Sequence, residues 1–401
     1  MASSGDSVPA ISSLAGAQDR PRRVVVKVGT TLLTGGHDML DRDYMAVLAS
    51  QLIATRRAGW EVVLVTSGAI AAGRARLTLE RGGKDISGKQ MLAAVGQSLL
   101  MRDYDALFSP QGTTVAQTLL TKRDLRSRVG YLNARNTLLG LLDYGVLPIV
   151  NENDVVAVDE LLSRDGFGDN DTLSAMVASL VDAGLLILLT DIEGLYTADP
   201  RDDPAARLVR DVYQVDKELE RLAGESSSDQ GTGGMRTKLE AARIAITSGI
   251  TVQIAPGKAP NVVPRLLAGD HVGTRFHPAT SHAEARQRWI LSALGYHAAI
   301  HIDPGAVTAL VSRGRSLLPV GVRTVQGPFQ RGETVAIVGP DRTNLACGLA
   351  SYASDEIERI KGQRSSRIAS VLGHTYGDAV VHRNNLVLLP EATGSVSTEE
   401  E

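Results

Sequence analysis

Little in this chain could build a covalent scaffold or an aromatic core. Its 401 residues include one cysteine, four phenylalanines and two tryptophans. A lone thiol excludes an internal disulfide framework and any multi-cysteine zinc site, which fits a reducing compartment. That residue, Cys347, stands in Asn344-Leu-Ala-Cys-Gly-Leu-Ala350 with no adjacent His or Lys to lower its pKa, so it reads as a small buried side chain. No run approaches the roughly 18 consecutive apolar residues of a membrane helix. The first twenty residues are rich in Ser, Ala and Gly and lack the basic start and apolar stretch of a secretion signal; they read as a disordered tail. A net charge of −3 gives no global attraction to nucleic acid or anionic lipid. A cytoplasmic protein is expected.

What is present is 43% hydrophobic residues and 40 glycines, so burial must rest on Val, Ile, Leu and Ala packed around glycine-bearing loops. A chain of this length exceeds what one core usually supports, and two domains are expected. From Arg22, short β-branched runs alternate with helix-like stretches, the pattern of a mostly parallel sheet sandwiched by helices in an α/β fold. Strands are expected over 23–28, 61–66, 146–150, 185–190 and 249–254. Helices are expected over 43–57, stopped by Gly59, and over 171–183. Beyond about residue 275 a helix through 283–290 leads into short strands broken by glycine, a small β-rich module. Residues 281–385 carry 12 Lys and Arg against 8 Asp and Glu, a surplus of four. The end, from Glu391, is too polar to bury anything and reads as disordered.

Six polar turns carry the chemistry. Lys27 lies in the first strand just before Gly29-Thr30-Thr31; such a turn can hold phosphate while the lysine neutralises its charge, and the alternative is a strand lysine that runs its stem along apolar surface. Thr66-Ser67-Gly68-Ala69-Ile70 follows the second strand, where open parallel sheets bind ligands; Ser67 as a simple helix N-cap stays equally open. Asn151-Glu152-Asn153-Asp154 places four hydrogen-bonding side chains directly after a strand, suited either to a small polar substrate or to a local turn. In Gly168-Asp169-Asn170-Asp171 a carboxylate could cap a helix, or it could position two lysines or meet a magnesium shell while an amide orients the acceptor. Finally, Thr190-Asp191 closes a strand, and Gly231-Thr232-Gly233-Gly234-Met235-Arg236-Thr237-Lys238 opens a helix; both suit a nucleotide. There is no Gly-x-x-x-x-Gly-Lys-Ser/Thr loop, no His-Arg-Asp catalytic loop and no Gly-x-Gly-x-x-Gly after the first strand, which disfavours the common nucleotide folds.

Taken in this order, these segments, together with Gly194-Leu-Tyr-Thr-Ala-Asp-Pro200, resemble the amino acid kinase family from about Arg22 to Pro278. Asp303-Pro-Gly-Ala-Val-Thr-Ala-Leu310, Gly314-Arg-Ser-Leu-Leu-Pro-Val-Gly-Val322 and Phe329-Gln-Arg-Gly-Glu-Thr-Val335 resemble a PUA domain. The domains implied are a tail over 1–21, a kinase domain over 22–278, a PUA domain over 283–388 and a tail over 389–401. One departure is the stretch between Asp154 and Gly168, a few residues longer than the family pattern.

The resemblance implies ATP-dependent phosphorylation of the γ-carboxylate of free L-glutamate at the start of proline synthesis, with Mg²⁺ as cofactor, proline as inhibitor and a homodimer or homotetramer. It assigns catalysis to Lys27, Lys238 and Asp171, with Asp171 orienting the lysines. Ser67, Asp154 and Asn170 hold glutamate, Asp154 facing its ammonium. ATP falls to Lys27, Thr190, Asp191, Thr232, Gly233, Gly234, Met235, Arg236, Thr237 and Lys238. The rivals are a member of the same fold acting on aspartate, N-acetylglutamate, carbamate or a nucleoside monophosphate, and an RNA-binding regulator without turnover. A surplus of four charges is too small to imply nucleic-acid binding.

Overall fold

The computed structural model describes residues 22–77, 85–157, 170–217, 219–220, 234–281, 284–285 and 298–389. The chain forms two compact units, the first running to His282 and the second from Ala283, with Arg126–Asn133 grouped with the second. The helix expected over 283–290, save Glu284 and Ala285, most of the long 155–167 stretch and both tails, save Leu389, lie outside the described residues.

In the first unit eight strands form one sheet in the order β3-β4-β2-β1-β5-β7-β8-β6. They are β1 (Arg23–Val28), β2 (Glu61–Thr66), β3 (Val115–Leu120), β4 (Leu147–Glu152), β5 (Leu185–Thr190), β6 (Asp211–Val212), β7 (Thr251–Pro256) and β8 (Thr274–Phe276). All neighbours are parallel except β7 and β8. The central strands are continuous hydrophobic runs because a parallel sheet covered by helices is buried on both faces. Val24, Val26 and Val28 pack with Leu32, Leu48 and Leu52 on one face. The two-residue period then turns Lys27 to the opposite face, toward the helix Asn170–Leu180.

Three strands match the expected bounds. The strand expected from 146 runs on through buried Asn151 and Glu152, and the one expected from 249 starts at Thr251, because Gly249 takes φ 75° in the turn that ends the helix Met235–Thr247. The helix expected over 171–183 spans Asn170–Leu180, and just beyond it Asp182 takes φ 53°. Strands β3, β6 and β8 were not expected. Val-Ala-Gln-Thr-Leu-Leu lies at the sheet edge, half-buried and without a β-branched run, and the other two are only two and three residues long.

The helices Ala69–Arg76 and Ile86–Phe108 touch backbone to backbone. A Cβ on Gly73 would stand 2.0 Å from the Leu92 carbonyl oxygen, and one on Gly96 would stand 1.7 Å from that of Ala69. No side chain can retreat from such a contact, so Gly96→Ala is expected to cost about 3 kcal/mol, the upper end of overpacking. A lowered urea midpoint at unchanged m-value would register it.

The second unit is a five-stranded sheet, ordered β10-β9-β11-β12-β13, built from β9 (Ala299–Ile302), β10 (Val322–Gln326), β11 (Thr334–Val338), β12 (Asn344–Leu349) and β13 (Leu386–Leu388). Only β9 and β11 run parallel. Asp303 caps the helix Pro304–Val311 by accepting from the Ala306 N–H at 2.8 Å, which explains the Asp-Pro-Gly run. Cys347 is buried in β12, and burial pushes its thiol up to about 11, so it stays protonated and inert.

Candidate active site

Strands β1, β2, β4 and β5 all end on one edge of the first sheet. The chain order reverses at β1, which has β2 on one side and β5 on the other; such a switch point opens the crevice where ligands bind in open α/β sheets.

At the end of β1 the Lys27 Nζ lies 2.6 Å from Asp171 Oδ1, and the Lys238 Nζ lies 3.3 Å from Oδ2. The Thr237 hydroxyl donates to the same Oδ2 at 2.8 Å. Lys27 and Lys238 are each 6% exposed and Asp171 is 1% exposed, so three charges share a nearly dry site. Burial pushes the Asp171 carboxyl upward, but the Lys238 and Lys27 charges and the bonds from Lys27 and Thr237 outweigh it. The carboxyl is held well below the usual carboxylate range. The assembly carries a net positive charge of one, held in place before any ligand arrives. Asp171 also stands in the first turn of its helix, where the dipole favours a negative charge, but both its oxygens are turned to the lysines and Thr237.

The far end of that helix is clamped. The Arg135 and Arg23 guanidinium groups donate to the carbonyl oxygens of Leu180 and Val181, while Arg135 pairs with Asp182 at 2.5 Å and Arg23 with Glu61 at 2.5 Å. Arginine at these terminal carbonyls satisfies groups that no helical N–H can reach. Neither residue was singled out in the sequence; Arg23 opens a strand and Arg135 lies in an amphipathic helix, and an isolated arginine in either setting carries no local sign of burial.

Beside the lysines opens a cavity of about 400 Å³, lined by Thr30, Thr31, Ser67, Asn151, Asp154 and Asn170 among others. The three expected substrate residues, Ser67, Asp154 and Asn170, thus face one space. Ser67 is not the helix cap: Gly68, at φ 101°, holds that position, and the Ser67 Oγ accepts from Asn170 Nδ2 at 3.0 Å. Its own hydroxyl hydrogen is left to point at a ligand. Asn151 does not spend its side chain on a turn alone, because its Oδ1 accepts both from the Glu152 N–H at 2.9 Å and from Asn170 Nδ2 at 3.2 Å.

Of the residues expected to meet a nucleotide, Thr190 ends β5 beside β1, buried, with its hydroxyl donating to Asp191 at 3.1 Å. Gly234 is the N-cap of the helix Met235–Thr247, whose first turn holds no acidic residue and no side-chain cap. The Thr237 N–H donates to the Gly234 carbonyl oxygen at 3.2 Å, while the N–H groups of Met235 and Arg236 have no partner among the described residues and can meet an anion. Met235 is buried, Arg236 exposed, and Thr232 and Gly233 lie outside the described residues. Among the described residues no group of three His, Cys, Asp or Glu could hold a metal ion, and no helix is long and apolar enough to cross a membrane.

Residues 22–256 match the amino acid kinase family and residues 298–372 the PUA domain. The chain belongs to the amino acid kinase family. Within it, the chain is 53% identical over 370 residues to the glutamate 5-kinase of Herpetosiphon aurantiacus, covering 92% of this chain and 99% of that protein. It is 52% identical to the glutamate 5-kinase of Dehalococcoides mccartyi and 47% identical to that of Pelobacter propionicus, each over 368 residues, 92% of this chain and 98% of the relative.

Proposed function

We propose that this protein transfers the γ-phosphoryl group of ATP to the side-chain carboxylate of L-glutamate, giving L-glutamyl 5-phosphate and ADP as the first step of proline synthesis. The observation that carries this reading is the buried Lys27–Asp171–Lys238 assembly beside a cavity lined by Ser67, Asp154 and Asn170. Relatives of matching length that bear the name glutamate 5-kinase support the choice of substrate.

The chemistry follows from charge. A glutamate side chain has a pKa near 4.3, so the attacking oxygen is ionised at neutral pH and no general base is required. The obstacle is bringing that anion against a triphosphate. The carboxylate oxygen forms a bond to the γ-phosphorus as the bond to the β,γ-bridging oxygen breaks, and ADP leaves with the electron pair. Lys27 and Lys238 stabilise the charge on the transferring group, and Asp171 holds both ammonium groups in place, so no reorganisation is needed during transfer. Thr190, Asp191 and residues 232–238, with the open N–H groups after Gly234, receive the nucleotide. Mg²⁺, which usually keeps several waters and takes only one or two protein carboxylates, would supply neutralisation of phosphate charge when bound with ATP. We further propose a cytoplasmic homo-oligomer inhibited by proline, with the kinase domain over 22–278 and the PUA domain over 283–388.

Purified protein incubated with Mg-ATP and, separately, glutamate, aspartate, N-acetylglutamate and UMP tests this directly, with ADP release measured and acyl phosphate trapped by hydroxylamine. Turnover with glutamate alone is expected; turnover with another acceptor moves the specificity, and none at all favours a sensing or RNA-binding role. Asp154→Ala is expected to raise the glutamate KM by tenfold or more, at about 1.4 kcal/mol per tenfold, while the ATP KM stays within about twofold. Equal loss for both substrates would remove Asp154 from the glutamate site.

A further inference from the structure

The amide of Asn170 is held in one sense only. The Glu152 backbone N–H donates to Asn151 Oδ1 at 2.9 Å, and a backbone donor cannot turn over. This forces the other end of the Asn151 amide, Nδ2, toward Gln97, whose Oε1 accepts at 2.9 Å. It also forces Asn170 to present Nδ2 to Asn151, at 3.2 Å, and to Ser67, at 3.0 Å. The Asn170 Oδ1 is then the end left over, a buried acceptor with no partner among the described residues, on a side chain that lines the cavity. At the opposite end the Gln97 Nε2 is likewise buried without a partner among the described residues, so Gln97 is held through its oxygen. Asn170, Asn151 and Gln97 are 7%, 1% and 9% exposed, so water competes little for these bonds. Gln97 reaches this place because the adjacent Gly96 lets its helix press against the Ala69 backbone.

We infer that Gln97 is a positioning residue which, by accepting from Asn151 Nδ2, steadies the amide that the Glu152 N–H orients, and so holds the Asn170 carbonyl oxygen toward the substrate and selects an acceptor with a free ammonium group. The inference rests on the proposed glutamate reaction. Beside the Ser67 hydroxyl, which is free to donate, the Asn170 oxygen completes an acceptor and donor pair suited to an ammonium and a carboxylate on one carbon. A reversed Asn170 amide would turn its NH₂ group on the ammonium and repel it. Losing the Gln97 acceptor leaves the Asn151 Nδ2 buried without a partner, and the relay that holds Asn170 loosens.

Two variants test this, read through the glutamate KM and the inhibition constant of glutarate, the same diacid without the amine. Gln97→Met keeps the length of the side chain but removes its acceptor, and Gln97→Glu keeps an acceptor facing Asn151. In Gln97→Met the glutamate KM is expected to rise about tenfold, the scale of one lost hydrogen bond, while the glutarate inhibition constant and the ATP KM change less than about twofold. Gln97→Glu is expected to stay within about threefold of the wild-type glutamate KM. An unchanged glutamate KM in Gln97→Met, a parallel loss for glutarate, or a Gln97→Glu enzyme as impaired as Gln97→Met would each overturn the relay. Wild-type protein that turned over no glutamate would instead refute the proposed reaction, so the two failures are told apart.

Discussion

Lys238→Ala is expected to lower kcat by about a thousandfold, the upper end of what one preorganised donor contributes to a transition state, while the glutamate KM moves by less than about threefold. The asymmetry has a structural reason. The Lys238 ammonium lies 3.3 Å from Asp171 and is 6% exposed, so it is already desolvated and oriented, and its interaction strengthens only as charge develops on the transferring group. The lysine also lies outside the roof and walls of the cavity that holds Ser67, Asp154 and Asn170, so the ground-state contacts with glutamate survive its removal. Steady-state kinetics at saturating Mg-ATP check this. A kcat within tenfold of wild type would remove Lys238 from the transfer step.

Asp171→Asn should have the second large effect, and it falls on stability as well as turnover. The substitution keeps the shape of the side chain and the capacity to bond Thr237, but leaves two ammonium groups together in a buried site. Removing one partner of a buried ion pair costs about 3–5 kcal/mol. The pH dependence gives the signature. The carboxyl of Asp171 is depressed below its ordinary value of 3.8, so its contribution is fully present above that pH and is lost as pH falls through the lower folded value. The gap in unfolding free energy between wild type and Asp171→Asn should therefore be constant from about pH 8 to 5 and narrow only below about pH 4. Urea titrations across that range measure it; a gap that closed near neutral pH would show that Asp171 is not held ionised by the lysines.

Much of this site was legible in the linear chain because its parts sit at the ends of strands. The run Arg23-Val-Val-Val-Lys-Val28 announces a buried strand, and a lysine within it ahead of Gly29 announces its exception. The same logic singled out Ser67, Asp154, Asn170 and Lys238, each in a polar turn that interrupts an apolar pattern; the first three line one cavity and Lys238 pairs with Asp171. Ser67 as a helix cap had equal standing with Ser67 as a site residue, and local sequence could not choose between them: the answer depended on Gly68 taking a left-handed conformation and on Asn170 arriving from 103 residues away. Gln97 carried no local sign, being one of several polar residues, with Lys89, Gln90, Ser98 and Arg102, on the helix Ile86–Phe108. Strand β3 was missed for a related reason, since an edge strand is half-buried and its residues need not be β-branched.

By itself, then, the sequence determined the parallel sheet, the two-domain organisation and the polar turns, because strand burial, glycine turns and missing P-loop spacing are local properties with short periods. It also determined which functional groups were available. The tertiary structure alone decided how they act together. Lys27 and Lys238, 211 positions apart, converge on one carboxylate because β1 and the helix Met235–Thr247 both meet the N-terminal end of the helix Asn170–Leu180. The Glu152 N–H polarises a relay from Gln97 through Asn151 to Asn170, spanning 54 residues in one step. An amide side chain is nearly symmetric in shape and opposite in hydrogen bonding at its two ends, so which end meets the ligand is set by partners that only folding brings together.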